Sequence, residues 1–157
     1  MRWPLMTENI SRGDLDALIA FLAQDGQKLT QGPQVAAFER EFADWVGTRH
    51  AVFVNSGASA NLITIAALGK DEDKGEIIVP AITWSSDIAS VIHAGLTPIL
   101  VDVDPRTMGM NWDEVLKRVN LKTRAVFLTH VLGFDGLDQG AREALLEINI
   151  PLIEDCC

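Results

Sequence analysis

The 157-residue sequence is poor in cysteine, in positive charge and in long apolar runs. Its two cysteines, Cys156 and Cys157, are adjacent, so they build no disulfide framework, and two ligands alone make no structural zinc site. No metal is expected. The 13 Lys and Arg stand against 22 Asp and Glu, a formal net charge of −9 that argues against a general nucleic-acid surface or an anionic membrane as partner. No stretch approaches the ~20 apolar residues of a membrane span, and "MRWPLMTENI" lacks the apolar core of a secretory signal. The expectation is a cytoplasmic protein with small-molecule or protein partners. Repeats, low-complexity segments and a linker marking a second domain are all missing. With 48% hydrophobic and 22% charged residues, residues 1–157 read as one stretch of globular structure.

What is there alternates. Ser11 and Asp14 have the spacing of a capping box ahead of the apolar stripe Leu15, Leu18, Ile19 and Leu22. Gly32 and Pro33 break the chain, and Val35, Phe38, Phe42, Trp45 and Val46 form a second helical stripe ended by Gly47. From there strand signals alternate with helix signals: "AVFV", a helix over 60–68, "EIIVP", a helix over 87–94, "TPILVDV", a helix over 112–119, "AVFLTH", a helix over 142–148, and "PLIED". Five strands separated by helices predict an α/β fold, a mostly parallel sheet with helices on both faces. The sequence stops two residues after Asp155, where such a sheet places ligands and would still need a covering helix. The expectation is therefore an N-terminal portion of a longer enzyme.

Candidate chemistry collects just after the predicted strands. "NSGAS" at 55–59 joins strand to helix with small residues, so an anion can approach the unpaired N–H groups of a helix start; the plainer reading is a turn with Ser56 as N-cap. Trp84 reads equally as a core or interface aromatic, and His130 as a satisfied core histidine. Asp102 and Asp104, with Pro105, read as a turn. Asp155 is different: a carboxylate after the apolar "PLI" needs a cation or hydrogen-bond donors. No G-x-G-x-x-G follows "AVFV", which argues against a dinucleotide-binding fold.

The segments "LTQGPQVAAFEREFADWVGTRHAVFVNSGASANL", "EIIVPAITWSSDIASVIHAGLTPILVDVDPRT", "KTRAVFLTHVLGF" and "PLIEDCC" together resemble the DegT/StrS family of pyridoxal-phosphate sugar aminotransferases over nearly the whole chain. The resemblance implies the large domain of a fold-type I pyridoxal-phosphate enzyme, truncated, with the small C-terminal domain absent. It further implies a homodimer, pyridoxal or pyridoxamine 5'-phosphate as cofactor, and a nucleotide-sugar and an amino donor as substrates. Matched position by position, it implies that Gly57, Ala58 and Ser59 hold the cofactor phosphate, that Trp84 stacks on the pyridine ring, and that Asp155 pairs with the protonated ring nitrogen.

The match also departs from the family. The Schiff-base lysine lies some tens of residues beyond the family's I-E-D motif, and Lys28, Lys70, Lys74, Lys117 and Lys122 occupy no matching position. No catalytic residue is therefore assigned within the chain. A related group, the nucleotide-sugar 3-dehydrases, carries histidine in the lysine's place. "TWSS", "HVLGF" and "EDCC" are closer to that branch, while the aminotransferase is the commoner activity. A non-catalytic remnant or interaction module is the reading from another class.

Overall fold

The computed structural model describes residues 8–68 and 75–156. The chain divides into two compact units, Met1–Phe53 and Val54–Cys157.

In the first unit, α1 (Arg12–Leu22) opens with the predicted capping box: the Asp14 amide donates to Ser11 Oγ and the Ser11 amide to Asp14 Oδ2, at 3.2 and 2.7 Å. Helix α2 (Pro33–Val46) starts on Pro33 and stops at Gly47, whose φ of 81° is the left-handed conformation of a glycine cap. The predicted strand "AVFV" is not one. Its Phe53 amide donates to the Glu39 carboxylate at 2.8 Å, and the Phe53 ring meets Phe38 edge-on at 5.4 Å. A β-branched and aromatic run favours a strand only where a neighbouring strand offers a ladder, and here a side chain takes the amide.

The second unit begins with α3 (Gly57–Leu68) and continues β1 (Glu76–Pro80), α4 (Ser85–His93), β2 (Thr97–Val101), α5 (Trp112–Arg118), β3 (Thr123–Thr129), α6 (Gln139–Glu147) and β4 (Leu152–Asp155). Among the described residues the sheet has four strands in the order β2-β1-β3-β4, every pair parallel. The period of two along each strand divides the core. Ile77, Val79, Ala125 and Phe127 face one side with Ile65 of α3 and Val91 of α4. Ile78, Val126 and Leu128 face the other with Val115 of α5 and Leu145 of α6. Both faces are thus covered, and the central strands β1 and β3 read as continuous apolar runs because neither side meets water.

Candidate active site

The strand order fixes where a site can form. The chain leaves β1 for β2 on one side and then crosses to β3 on the other, so a crevice opens between the carboxyl ends of β1 and β3. Thr83 follows β1 and Thr129 ends β3; their hydroxyl oxygens meet at 2.7 Å across that crevice. Both also bond Asp87 Oδ2, with Thr129 donating at 2.8 Å.

Asp87 is in the first turn of α4 and is fully buried. Its Oδ1 accepts from Asn61 Nδ2 at 2.8 Å and from Ser86 Oγ at 3.3 Å. A carboxylate here is tolerated because four donors surround it and the positive end of α4 lies beneath it. The same Asn61 Nδ2 donates its second hydrogen to Asp155 Oδ2 at 2.9 Å. Two carboxylates can only accept, so the amide nitrogen must be the atom facing them. Asp155 thus has the donor its position after "PLI" demands.

Around this network the helix starts are open. Ser56 caps α3: its Oγ accepts from the Ser59 amide at 3.2 Å and donates to Ser59 Oγ at 3.1 Å. Ser59 keeps its own hydroxyl proton, and the amides of Gly57 and Ala58, exposed in the first turn, have no intrahelical acceptor. Trp84 precedes α4 and is 57% exposed, so it is not a core aromatic.

Residues 12–157 match the DegT/DnrJ/EryC1/StrS aminotransferase family. The chain belongs to that family. It is similar to the GDP-4-keto-6-deoxy-D-mannose 3-dehydratase of Yersinia pseudotuberculosis, 31% identical over 162 aligned residues, 100% of this chain and 41% of the relative. It is also similar to the dTDP-4-dehydro-2,3,6-trideoxy-D-glucose 4-aminotransferase of Saccharopolyspora spinosa, 32% identical over 146 residues, 90% of this chain and 37% of the relative. The solved structure of the E. coli GDP-4-keto-6-deoxy-D-mannose-3-dehydratase with bound hydrated PLP matches with a TM-score of 0.88 at 31% identity, over 99% of this chain and 41% of that one. The chain therefore spans about two fifths of the length of these relatives.

Within this member of the DegT/DnrJ/EryC1/StrS family, the other sequence candidates fall as follows. His130 is not solitary: its Nε2 meets Glu154 Oε2 at 3.1 Å, and Nδ1 accepts from the Gly136 amide at 3.3 Å, so the neutral ring carries its proton on Nε2. Asp102 and Asp104 do hold a turn, through the amides of Val103 and Arg106 at 2.8 Å each. The Arg106 side chain, bonded to Asp104, draws its carboxyl down to about 2. Burial, then the nearby Glu154, Asp155 and Asp135, pushes the Cys156 thiol above its ordinary range. Lys117, in the last turn of α5, and Lys122, whose carbonyl accepts from Glu76 at the start of β1, lie at the amino end of the sheet, away from Asp155. Lys70 and Lys74 lie outside the described residues.

Sequence reasoning missed Asn61 and Thr129 and gave Asp87 no role. An asparagine inside "ANLITIAAL" reads as a helix-surface residue, and only the polar break in an otherwise apolar helix signals otherwise.

Proposed function

We propose that this chain binds the phosphate and the pyridine ring of pyridoxal 5'-phosphate, or of its pyridoxamine form, as part of an aminotransferase acting on a keto nucleotide-sugar. The observation that carries the reading is the Asp155 carboxylate, held by Asn61 at the topological switch point with the open start of α3 one helical turn away. Asn61 lies about 4.5 Å along the axis from Ala58, so the open helix start and the carboxylate that Asn61 holds belong to neighbouring turns of α3. The residues fit the group.

In this reading the amides of Gly57 and Ala58 and the Ser59 hydroxyl receive the phosphate, with the positive end of α3 behind them. Trp84 offers an exposed indole face for the ring. Asp155 holds a proton on the pyridine nitrogen, because an opposite charge at hydrogen-bond distance favours the charged form. When bound, the cofactor supplies an electron sink for bond breaking next to its reacting nitrogen. Lys117 and Lys122 lie at the amino end of the sheet, and the family resemblance puts the group that moves the substrate proton beyond the I-E-D motif. A homodimer, an amino donor and a cytoplasmic setting belong to the same proposal.

A second reading, a pyridoxamine-phosphate-dependent 3-dehydratase, is supported by the 31% identity to such an enzyme along the whole chain. The test uses the full-length protein with pyridoxamine phosphate, a keto nucleotide-sugar and glutamate. An amino sugar as product supports transamination, and a 3-deoxy sugar supports dehydration. Failure to bind the cofactor would overturn both and leave the non-catalytic module.

A further inference from the structure

We infer that Asn61 is a positioning residue that fixes the Asp155 carboxylate and joins it to the buried carboxylate of Asp87, so that two acids act on whatever cation Asp155 faces. The inference rests on the cofactor reading above, in which that cation is a protonated ring nitrogen.

The Asn61 side-chain nitrogen has two hydrogens, and both go to carboxylates, Asp87 Oδ1 at 2.8 Å and Asp155 Oδ2 at 2.9 Å. The two acids therefore share one amide group, and their bonded oxygens lie on the order of 5 Å apart, two hydrogen-bond lengths across one nitrogen. Among the described residues every hydrogen-bond partner of the Asp87 carboxylate is neutral: Asn61, Thr83, Ser86 and Thr129. Among the described residues no ion pair is formed by Asp87. Its negative charge is fully buried, where screening by water is weakest.

Two like charges so close raise each other's energy, and a donor between them offsets part of that cost. A cation against Asp155 offsets the rest. The pair is thus arranged to favour positive charge at this one point more strongly than a single carboxylate would.

The anchors of Asn61 make its placement rigid. Asp87 is tied to the ends of β1 and β3 through Thr83 and Thr129, and Asp155 ends β4 paired opposite Thr129. Rotation of the amide would break its bonds to both carboxylates at once. Without it, the two carboxylates would face each other with no donor between them, and Asp155 would compete for the proton that the ring nitrogen should hold.

The experiment follows the ring nitrogen itself, in the full-length protein loaded with pyridoxamine phosphate labelled with 15N in the ring. Wild type should give the resonance of a protonated pyridine nitrogen. Asn61→Leu should move it toward the free-base position and weaken pyridoxamine phosphate binding about tenfold, the scale of one charge-assisted hydrogen bond. Asp87→Asn should move it the same way: the new side-chain oxygen can still accept from Asn61, and the two threonine hydroxyls can turn to accept from its nitrogen. If Asn61→Leu does not accumulate folded, Asp87→Asn and Asn61→Ser decide the matter by the same resonance. Folded variants that melt lower yet keep the wild-type resonance and affinity would reduce Asn61 to a tie between α3, α4 and β4 and overturn the inference alone. A wild-type protein that binds no pyridoxamine phosphate, or binds it with an unprotonated ring, would overturn the cofactor reading as well.

Discussion

Asn61 and Asp155, 94 residues apart in sequence, are joined by a 2.9 Å hydrogen bond from the Asn61 amide to Asp155 Oδ2. The bond depends on sheet register. Parallel pairing sets Asp155 beside Thr129, whose hydroxyl reaches Asp87, so both acids bonded by Asn61 are located by the end of β3. Shifting β4 by one residue would turn Asp155 to the other face and bring Glu154 in its place. Glu154 already has its own partner on that face, His130, and that contact guards the register.

Replacement of Asp155 by Asn keeps an acceptor for Asn61 and removes the charge. The fold should survive, with pyridoxamine phosphate binding to the full-length protein weakened about 30-fold or more, equivalent to ~2 kcal/mol for loss of one partner in a charge-assisted pair. Isothermal titration calorimetry measures it. Unchanged affinity would mean that Asp155 does not face the ring nitrogen.

Trp84 is 57% exposed, so its removal should hardly touch stability, within ~0.5 kcal/mol. A stacking role predicts a different response from the ligand. Trp84→Ala should weaken cofactor binding roughly three- to tenfold while Trp84→Phe retains most of it, since aromatic pairs contribute ~0.5–1.5 kcal/mol beyond burial. Equal affinities for both variants would remove the indole from the site.

Much of this was legible in the sequence, for identifiable reasons. The capping box at Ser11, the glycine stop at Gly47 and strands β1 to β4 follow from local rules of spacing and periodicity, and tertiary context agreed with them. "AVFV" failed because a strand is a property of two segments, and among the described residues no segment pairs with it. The candidates Ser59, Trp84 and Asp155 were recognisable by their places after apolar runs and by family resemblance. Asn61 and Thr129 were not, and Asp87 stood out only as the end of the polar stretch 83–87 after a predicted strand, because each is polar for the sake of a residue 26 to 94 positions away, and one sequence carries no record of such partners. The partner that satisfies His130 was hidden for the same reason, Glu154 being 24 residues on.

Acid sensitivity should be found at Asp104. Its carboxyl is lowered from 3.8 to about 2 by hydrogen bonds from Arg106. A folded-state value below the unfolded one means that the pair stabilises fully above about pH 4 and loses that effect as pH falls toward 2. Wild type and Arg106→Ala should therefore differ in melting temperature near neutrality and converge in acid. The pair is exposed, so added salt should shrink the difference. A difference that persists below pH 2 would assign the effect of Arg106 to packing.

Two glycines let the segments before α5 and before α6 touch. A Cβ at Gly136 would lie 2.9 Å from Gly109 Cα and 3.2 Å from Leu128 Cδ1, and the Gly136 carbonyl also accepts from Trp112 Nε1 at 2.9 Å. Backbone cannot yield as a flexible side chain does. Gly136→Ala should destabilise the protein by about 1–3 kcal/mol, read as a lower urea midpoint at unchanged slope. An unshifted midpoint would mean that the two segments separate without cost.

The last prediction separates holding the cofactor from reacting with it. Covalent capture of pyridoxal phosphate requires an unprotonated lysine amine at its aldehyde, at the carboxyl end of the sheet. Lys117 and Lys122 are at the amino end, and the family resemblance gives none of the five lysines the anchoring position. Borohydride treatment of the 157-residue chain with pyridoxal phosphate should therefore leave no stoichiometric pyridoxyl-lysine, only the scattered surface labelling given by a simple aldehyde control. Mass spectrometry of the digested protein reads all five lysines at once, Lys70 and Lys74 included. A stoichiometric adduct on any one of them would show that this chain carries its own anchoring amine, and the alignment that assigns that amine elsewhere would have to be abandoned.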